Sequence, residues 1–260
     1  MTSHNEAADL LDACFRGGRT IEALPPGARP ATRAEGYAVQ KLVERRSRQP
    51  LFGWKIAATS RAGQEHIGVD GPLAGRLLAE RVVGNGGRLD IAVNRMRVAE
   101  PEFAFRMGRT LAPRAAAYAP AEVLDAVASL HPAIEVPDSR YTDFVVVGAP
   151  QLIADNACAR DFVLGDAAPD SWRGIDLSRH PVSGTVSSGL RRDGTGANVL
   201  GDPRVALAWL ANELSGLGIP LAEGQVVTTG TCMVPLAILP GDTVTIDFGP
   251  IGTVSASFTG

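Results

Sequence analysis

From Leu51 to the C-terminus the chain is cut into short apolar runs by glycine and proline, and these runs are not each followed by a helical segment. A doubly wound sheet needs a helix after nearly every strand, because each parallel connection must travel back across the sheet. The pattern excludes that architecture and predicts a strand-rich, mixed α+β domain. Two helices are expected inside it, over residues 120–130 and 203–217. Asp202-Pro203 opens the second, since aspartate can cap a helix and proline fits its first turn, and Val205, Leu207, Ala208, Leu210, Ala211 and Leu214 then face a core. Residues 225–229, 242–248 and 253–258, separated by Gly/Pro turns, predict a run of antiparallel strands.

Ahead of Leu51 the character differs. Residues 5–16 and 31–47 carry helical amphipathic spacing on either side of a turn through Pro25, Pro26, Gly27 and Pro30. The expected organisation is a helical N-terminal region, residues 1–50, followed by a catalytic domain, residues 51–260. With 260 residues and 45% hydrophobic content, the chain is long enough for a substantial core. A formal net charge of -3 gives no electrostatic reason to expect nucleic acid or an anionic membrane as partner. No apolar run approaches the ~20 residues that span a bilayer. Met1 to Glu6 lacks the basic start and apolar stretch of a signal peptide, so the expected location is cytoplasmic. Cys14, Cys158 and Cys232 are far apart and have no zinc-site spacing, which suits a reducing compartment.

Of the 25 lysines and arginines only Lys41 and Lys55 are lysines. Lys41 follows a helical pattern among Glu44, Arg45 and Arg46 and reads as a solvated surface charge. Lys55 sits in the apolar, strand-like run Leu51 to Ala58, where a long cation has few solvated neighbours. Either it faces outward on an edge strand or it serves a site.

Several familiar signatures fail. Gly194-Thr195-Gly196-Ala197-Asn198-Val199 lacks the third glycine of a dinucleotide loop and opens no immediate helix. Thr185-Val186-Ser187-Ser188-Gly189 has threonine where a nucleophile elbow needs its first glycine. His4, His66, His131 and His180 are scattered, with His131 read as a loop or strand-start residue, so no Ser-His or Cys-His arrangement is supported.

The acidic residues survive this filter. In Val98 to Met107, alternation puts Ala99, Pro101, Phe103, Phe105 and Met107 on one face, with Glu100 and Glu102 side by side on the other. Neighbouring carboxylates repel, so the pair either faces water or holds a cation. Pro101 cannot donate to a ladder, which predicts an edge strand or a local bend. Glu135, flanked by Ile134 and Val136 and closed by Pro132 and Pro137, needs a partner if buried. Three carboxylates with no nearby histidine or cysteine suit Mg²⁺ or Mn²⁺ and leave about half of an octahedral shell open.

The ordered set Gly53-Trp54-Lys55-Ile56, Gly68 to Gly75, Glu100-Pro101-Glu102, Ile134-Glu135-Val136 with Ser139-Arg140, Ala154-Asp155-Asn156-Ala157, Leu200 to Pro203, and Thr229-Gly230-Thr231 with Pro240-Gly241-Asp242 resembles the 2-keto-4-pentenoate hydratase group of the fumarylacetoacetate hydrolase superfamily. The resemblance runs from about residue 5 to the C-terminus. It implies a fumarylacetoacetase-like mixed β-sandwich roll, a homo-oligomer, and a metal-dependent lyase acting on a short 2-hydroxy-dienoate or 2-oxo-enoate from aromatic-compound breakdown. Glu100, Glu102 and Glu135 would hold the metal, Lys55 would move a proton or bind the substrate carboxylate, and Asn156 and Thr231 would line the pocket. An enolate stabilised by the metal is the expected intermediate. Many hydratases of the group carry an acidic residue where this chain has Leu73, so a 2-oxo-3-hexenedioate-type decarboxylase stays open beside the hydratase. A C–C hydrolase of an acylpyruvate would use a His-Glu pair; His66 directly follows Glu65, the wrong spacing for one helical face. A non-catalytic subunit that binds a 2-oxo acid is the remaining alternative.

Overall fold

The computed structural model describes residues 3–260. Helices α1 (Ser3–Gly17) and α2 (Arg33–Gln40) come first, and α2 continues as a 3₁₀ turn over Lys41–Arg46. The start of α2 is fixed by a reciprocal cap: Thr32 Oγ1 accepts from the Glu35 N–H while the Glu35 carboxylate accepts from the Thr32 N–H. This satisfies two backbone donors that a helix start otherwise leaves open. Ala7, Leu11, Leu24 and Val39 form a small cluster with Tyr141 and Ala154. Gln40 Nε2 donates to the carbonyls of Ala74 and Ile153, tying α2 to one strand and one helix further along the chain. Lys41 is exposed, as its pattern predicts.

The strands are β1 (Gly53–Ala57), β2 (Leu73–Leu77), β3 (Val82–Gly84), β4 (Gly87–Asp90), β5 (Val98–Met107), β6 (Val127–Val136), β7 (Asp161–Leu164), β8 (Pro181–Val186), β9 (Arg191–Thr195), β10 (Val226–Thr231), β11 (Leu236–Ala237), β12 (Thr243–Asp247) and β13 (Thr253–Thr259). Between them lie α3 (Arg61–His66), α4 (Pro120–Leu124), α5 (Ala149–Ala154) and α6 (Pro203–Gly216). The larger sheet has the order β2-β1-β10-β5-β6-β7-β3, with β11 added beside β5; the smaller has the order β4-β13-β12-β8-β9. Both are mixed sheets, since β1/β10, β3/β7 and β4/β13 pair in parallel. The α+β expectation is met, and no helix among the described residues is long and apolar enough to cross a membrane.

Each face of the larger sheet has its own partner. Trp54, Phe103, Phe105, Ile134 and Val163 join Val244, Ile246, Val254 and Phe258 of the smaller sheet in the main core. A side chain such as Phe103, fully removed from water, contributes roughly 1.5–3 kcal/mol. On the opposite face Leu77, Ala104, Ala133, Phe162 and Val226 form a second cluster. Leu77 and Phe162 come from β2 and β7, near opposite ends of the strand order, so the sheet curls around this face. Helix α6 starts where expected, with Asp202 accepting from the Arg204 N–H and Pro203 in the first turn, and it buries Ala206, Leu207, Leu210 and Leu214, whereas Val205, expected to face a core, is exposed.

Two further local expectations are corrected and one alternative is decided. The helix expected over residues 120–130 stops at Leu124, and Val127 already begins β6, with His131 well inside it. Residues 127–136 pair with β5 on one side and β7 on the other, so strand pairing takes over the C-terminal half of the expected helix. The C-terminal strands do not form one antiparallel run, because β10 leaves for the larger sheet and pairs with β1 and β5. Of the two alternatives that Pro101 left open, the edge is excluded, because β5 is central, and a local irregularity is found. The Cys232 N–H donates to Pro101 O, so the donor that Pro101 lacks faces the β10 side. There the register slips between Thr228 and Thr231, and the missing N–H falls where the ladder is already interrupted.

Candidate metal centre and active site

Register places the candidate residues on one face. Glu100 opposes Glu135 across β5 and β6, Glu102 opposes Ala133, and Lys55 opposes Thr228 on β10 and Gly75 on β2. Thr228 in turn opposes Ala104, two residues from Glu102. Because side chains alternate, Lys55, Glu100, Glu102, Glu135 and Thr228 all project to the inside of the curl. One carboxylate oxygen from each glutamate lies within 4.8 Å of the others. Glu102 and Glu135 are fully buried, whereas Glu100 is partly exposed and lines a cavity.

The hydrogen bonds leave this cluster incompletely satisfied. Glu102 Oε2 accepts from Thr228 Oγ1 at 2.5 Å and from the Gly230 N–H at 2.6 Å. Glu102 Oε1 and Glu135 Oε1 have no donor. Gly230 can aim its N–H this way because it adopts φ +96°, and a Cβ there would run into Thr59 Oγ1. Lys55 Nζ donates to Ala157 O at 3.0 Å and lies 3.0 Å from Glu135 Oε2. The ammonium is aligned on the carbonyl, so its contact with the carboxylate is a close ion pair off the hydrogen-bonding direction.

Electrostatics follow from these distances. Burial alone would depress the Lys55 ammonium, but Glu135, with Glu100 and Glu102 behind it, outweighs burial and holds it above the ordinary lysine value. Burial, with repulsion from Glu100, pushes the Glu102 carboxyl up to about 7 against the pull of Lys55, Thr228 and Gly230. Glu135 is raised well above the usual carboxylate range by burial despite Lys55, and Glu100 is raised by burial too. One ammonium cannot balance three buried carboxylates. Fully ionised, the cluster carries two uncompensated negative charges, the charge a divalent cation supplies. Hard oxygen donors, two of them orphaned, fit such a cation.

The wall beside Lys55 is held by a strained turn. Asn156, Ala157 and Cys158 are consecutive non-glycine residues with φ of 58°, 50° and 62°. Left-handed backbone of this kind costs roughly 1–2 kcal/mol per residue, so the surroundings must impose it. Asn156 Oδ1 accepts from the Arg76 N–H at 2.7 Å and its Nδ2 donates to Arg76 O at 2.9 Å. Asp155, just ahead, accepts from Ser139 Oγ and the Arg140 N–H and pairs with the Arg140 guanidinium. The turn thereby delivers the Ala157 carbonyl to Lys55.

Lys55 and Glu100 open onto a cavity of about 660 Å³. Thr231 lines it, with its hydroxyl donating to Met233 O. Asn156 is not brought into this wall, since both ends of its amide are spent on Arg76. Asn198, from the glycine-rich segment that fails as a dinucleotide loop, is in the wall instead, as are Ser60 and His66. Thr228 escaped sequence reading although alternation along β10 puts it on the Lys55 face. His131 serves the framework: its Nδ1–H donates to Gly165 O and its Nε2 accepts from Ser129 Oγ.

A curled mixed sheet that converges three carboxylates and a lysine on an apolar cavity defines a divalent-metal enzyme of small molecules. Residues 70–259 match the family described as fumarylacetoacetate (FAA) hydrolase C-terminal. A 2-keto-4-pentenoate hydratase of Burkholderia vietnamiensis is 34% identical over 265 residues, covering 100% of both chains. A 4-oxalocrotonate decarboxylase of a Pseudomonas species is 32% identical over 260 residues, covering 97% of each. The solved structure of 4-oxalocrotonate decarboxylase from Pseudomonas putida G7, complexed with magnesium and adipate, superposes with a TM-score of 0.86 at 28% identity, covering 97% of this chain and 96% of that one. The chain belongs to the fumarylacetoacetate hydrolase family, and within it to the hydratase/decarboxylase group of enzymes.

Proposed function

We propose that this enzyme is a hydratase of a short 2-hydroxy-dienoate or 2-oxo-enoate such as 2-hydroxypenta-2,4-dienoate, with Glu100, Glu102 and Glu135 holding Mg²⁺ or Mn²⁺. The observation that carries this reading is the pair of orphaned buried oxygens, Glu102 Oε1 and Glu135 Oε1, beside a lysine that faces the cavity. When bound, the cation supplies Lewis acidity toward the oxygens of a 2-oxo acid. The rest falls to the chain's own side chains. Lys55 has three N–H donors, of which Ala157 O takes one and Glu135 attracts another. The remaining N–H can bind a substrate carboxylate or move a proton at Nζ. Thr231 lines the same wall, while Ile56, Ala57 and Val98 keep water away from the hydrocarbon part of the substrate.

Decarboxylation of a 2-oxo-3-hexenedioate is the second reading, favoured by Leu73. This side chain is buried in β2 and brings no acid to the site where water addition would use one. The test offers 2-hydroxypenta-2,4-dienoate and 2-oxo-3-hexenedioate in parallel to the metal-loaded enzyme. Hydration of the first supports the proposal; release of CO₂ from the second with no hydration of the first overturns it.

A further inference from the structure

We propose that the cavity is shaped for a 2-oxo acid whose far end is an uncharged alkyl or aryl tail, and not for one that ends in a second carboxylate. The inference rests on the reading of Lys55 and the three glutamates as a 2-oxo-acid site, and it extends that reading to the rest of the wall. A volume of about 660 Å³ falls in the range of roughly 300–1,000 Å³ that accommodates drug-sized ligands, far more than a pyruvate-like head group fills.

The remaining wall is mostly apolar. Ile67, Val98, Phe144, Met233, Val234 and Pro235 all contribute to it, and Val234 is 62% exposed at this surface. Apolar surface of this kind gains from covering a hydrocarbon and offers a charge nothing.

Among the described residues that line the cavity, Lys55 is the sole lysine and there is no arginine. Lys55 is already committed to Glu135 and Ala157. Nearby arginines are turned elsewhere: Arg61 pairs with Glu65, and Arg97 Nε donates to Asn94 O. His66, the only histidine in the wall, packs edge-on against Phe144 at 6.3 Å between ring centroids. A distal carboxylate would enter without a fixed cation and would lie in the field of Glu100. Binding specificity follows from that omission as much as from the apolar contacts.

The experiment measures dissociation constants by calorimetry for the Mg²⁺-loaded enzyme with pyruvate, 2-oxohexanoate, phenylpyruvate and 2-oxoadipate. The expected result is tightening by about fourfold for each buried methylene, a factor that corresponds to about 0.8 kcal/mol. 2-Oxoadipate is expected to bind more weakly than 2-oxohexanoate by about tenfold or more. Ile67→Arg should then reverse the order in favour of 2-oxoadipate. Metal-dependent pyruvate binding with no gain from a tail, or tightest binding by 2-oxoadipate in the unmodified enzyme, overturns the tail proposal and leaves the 2-oxo-acid site standing. Failure of every 2-oxo acid to bind overturns both.

Discussion

Glu100 and Glu135 are register partners on adjacent central strands, so two carboxylates face each other across a single ladder step with Glu102 alongside. Antiparallel partners have Cα atoms about 4.5–5.5 Å apart, and like charges so placed destabilise a sheet. Glu100→Gln removes one of them while keeping the Lys55–Glu135 contact. The variant is expected to melt higher than the parent in EDTA, and to lose the rise in melting temperature that Mg²⁺ or Mn²⁺ gives the parent. Paired thermal scans with and without metal test this, and an unchanged metal response in Glu100→Gln would remove that residue from the ligand set.

Lys55 separates charge balance from chemistry. Lys55→Met leaves three carboxylates without their internal cation, so divalent metal should bind at least as tightly as in the parent. Turnover should nevertheless fall by about 10²–10⁴-fold, the usual contribution of a positioned proton donor or acceptor. Calorimetric metal titration and steady-state kinetics on the same preparation give the two readouts. Near-normal turnover would assign Lys55 to structure alone.

Asn156 carries two loads, a left-handed backbone and a two-point clamp on Arg76. Asn156→Gly keeps the conformational freedom and deletes the clamp, leaving the buried N–H and carbonyl of Arg76 without their partners. A loss of about 1–3 kcal/mol is expected in urea unfolding. Asn156→Ala should cost more than Asn156→Gly, because alanine also resists positive φ. If the two variants are equally stable, backbone strain is not part of the account.

His131 gives a pH signature of its own although it shares a face with the glutamates, opposing Ala104 two residues along β5 from Glu102. Burial lowers the pKa of its imidazole below the ordinary 6.5, and the bond to Gly165 O only partly opposes this. The unfolded chain therefore binds the proton more readily than the native one. The contribution is complete above about pH 6.5 and is lost as pH falls through and below that value. With saturating Mg²⁺ present throughout, urea midpoints for the parent should drop more steeply between pH 7.5 and 5.5 than those for His131→Gln. Parallel slopes would contradict a neutral native imidazole.

Much of the centre was readable because strands have a period of two. Glu100 and Glu102 needed only that alternation to share a face, and Glu135 and Lys55 stood out as charges inside apolar runs. Pairing between strands is not written locally, so the position of β5 at the middle of its sheet, and of Thr228 against Glu102, could not be read. Pro101 left an edge and a local bend both open, because the bulge that accommodates it belongs to another strand more than a hundred residues away. Asn156 read as a pocket residue because an asparagine in a turn gives no sign of where its amide points. Here it points at a backbone. Helix spacing over 120–130 failed at its C-terminal half because the pairing of residues 127–136 with β5 and β7 is long-range and leaves no local mark.

The carboxylates and Lys55 come from strands locked into one hydrogen-bonded ladder, whereas much of the cavity wall comes from residues 58–67 and 231–235, which lie largely outside those strands. Chemistry and selectivity are thus encoded in separable stretches of the gene. Random mutagenesis confined to the two connecting stretches, sparing Gly230 and Thr231, should yield variants that accept different acids while retaining one and the same metal response, so the molecule offers a starting point for recombining specificities without rebuilding its reactive centre.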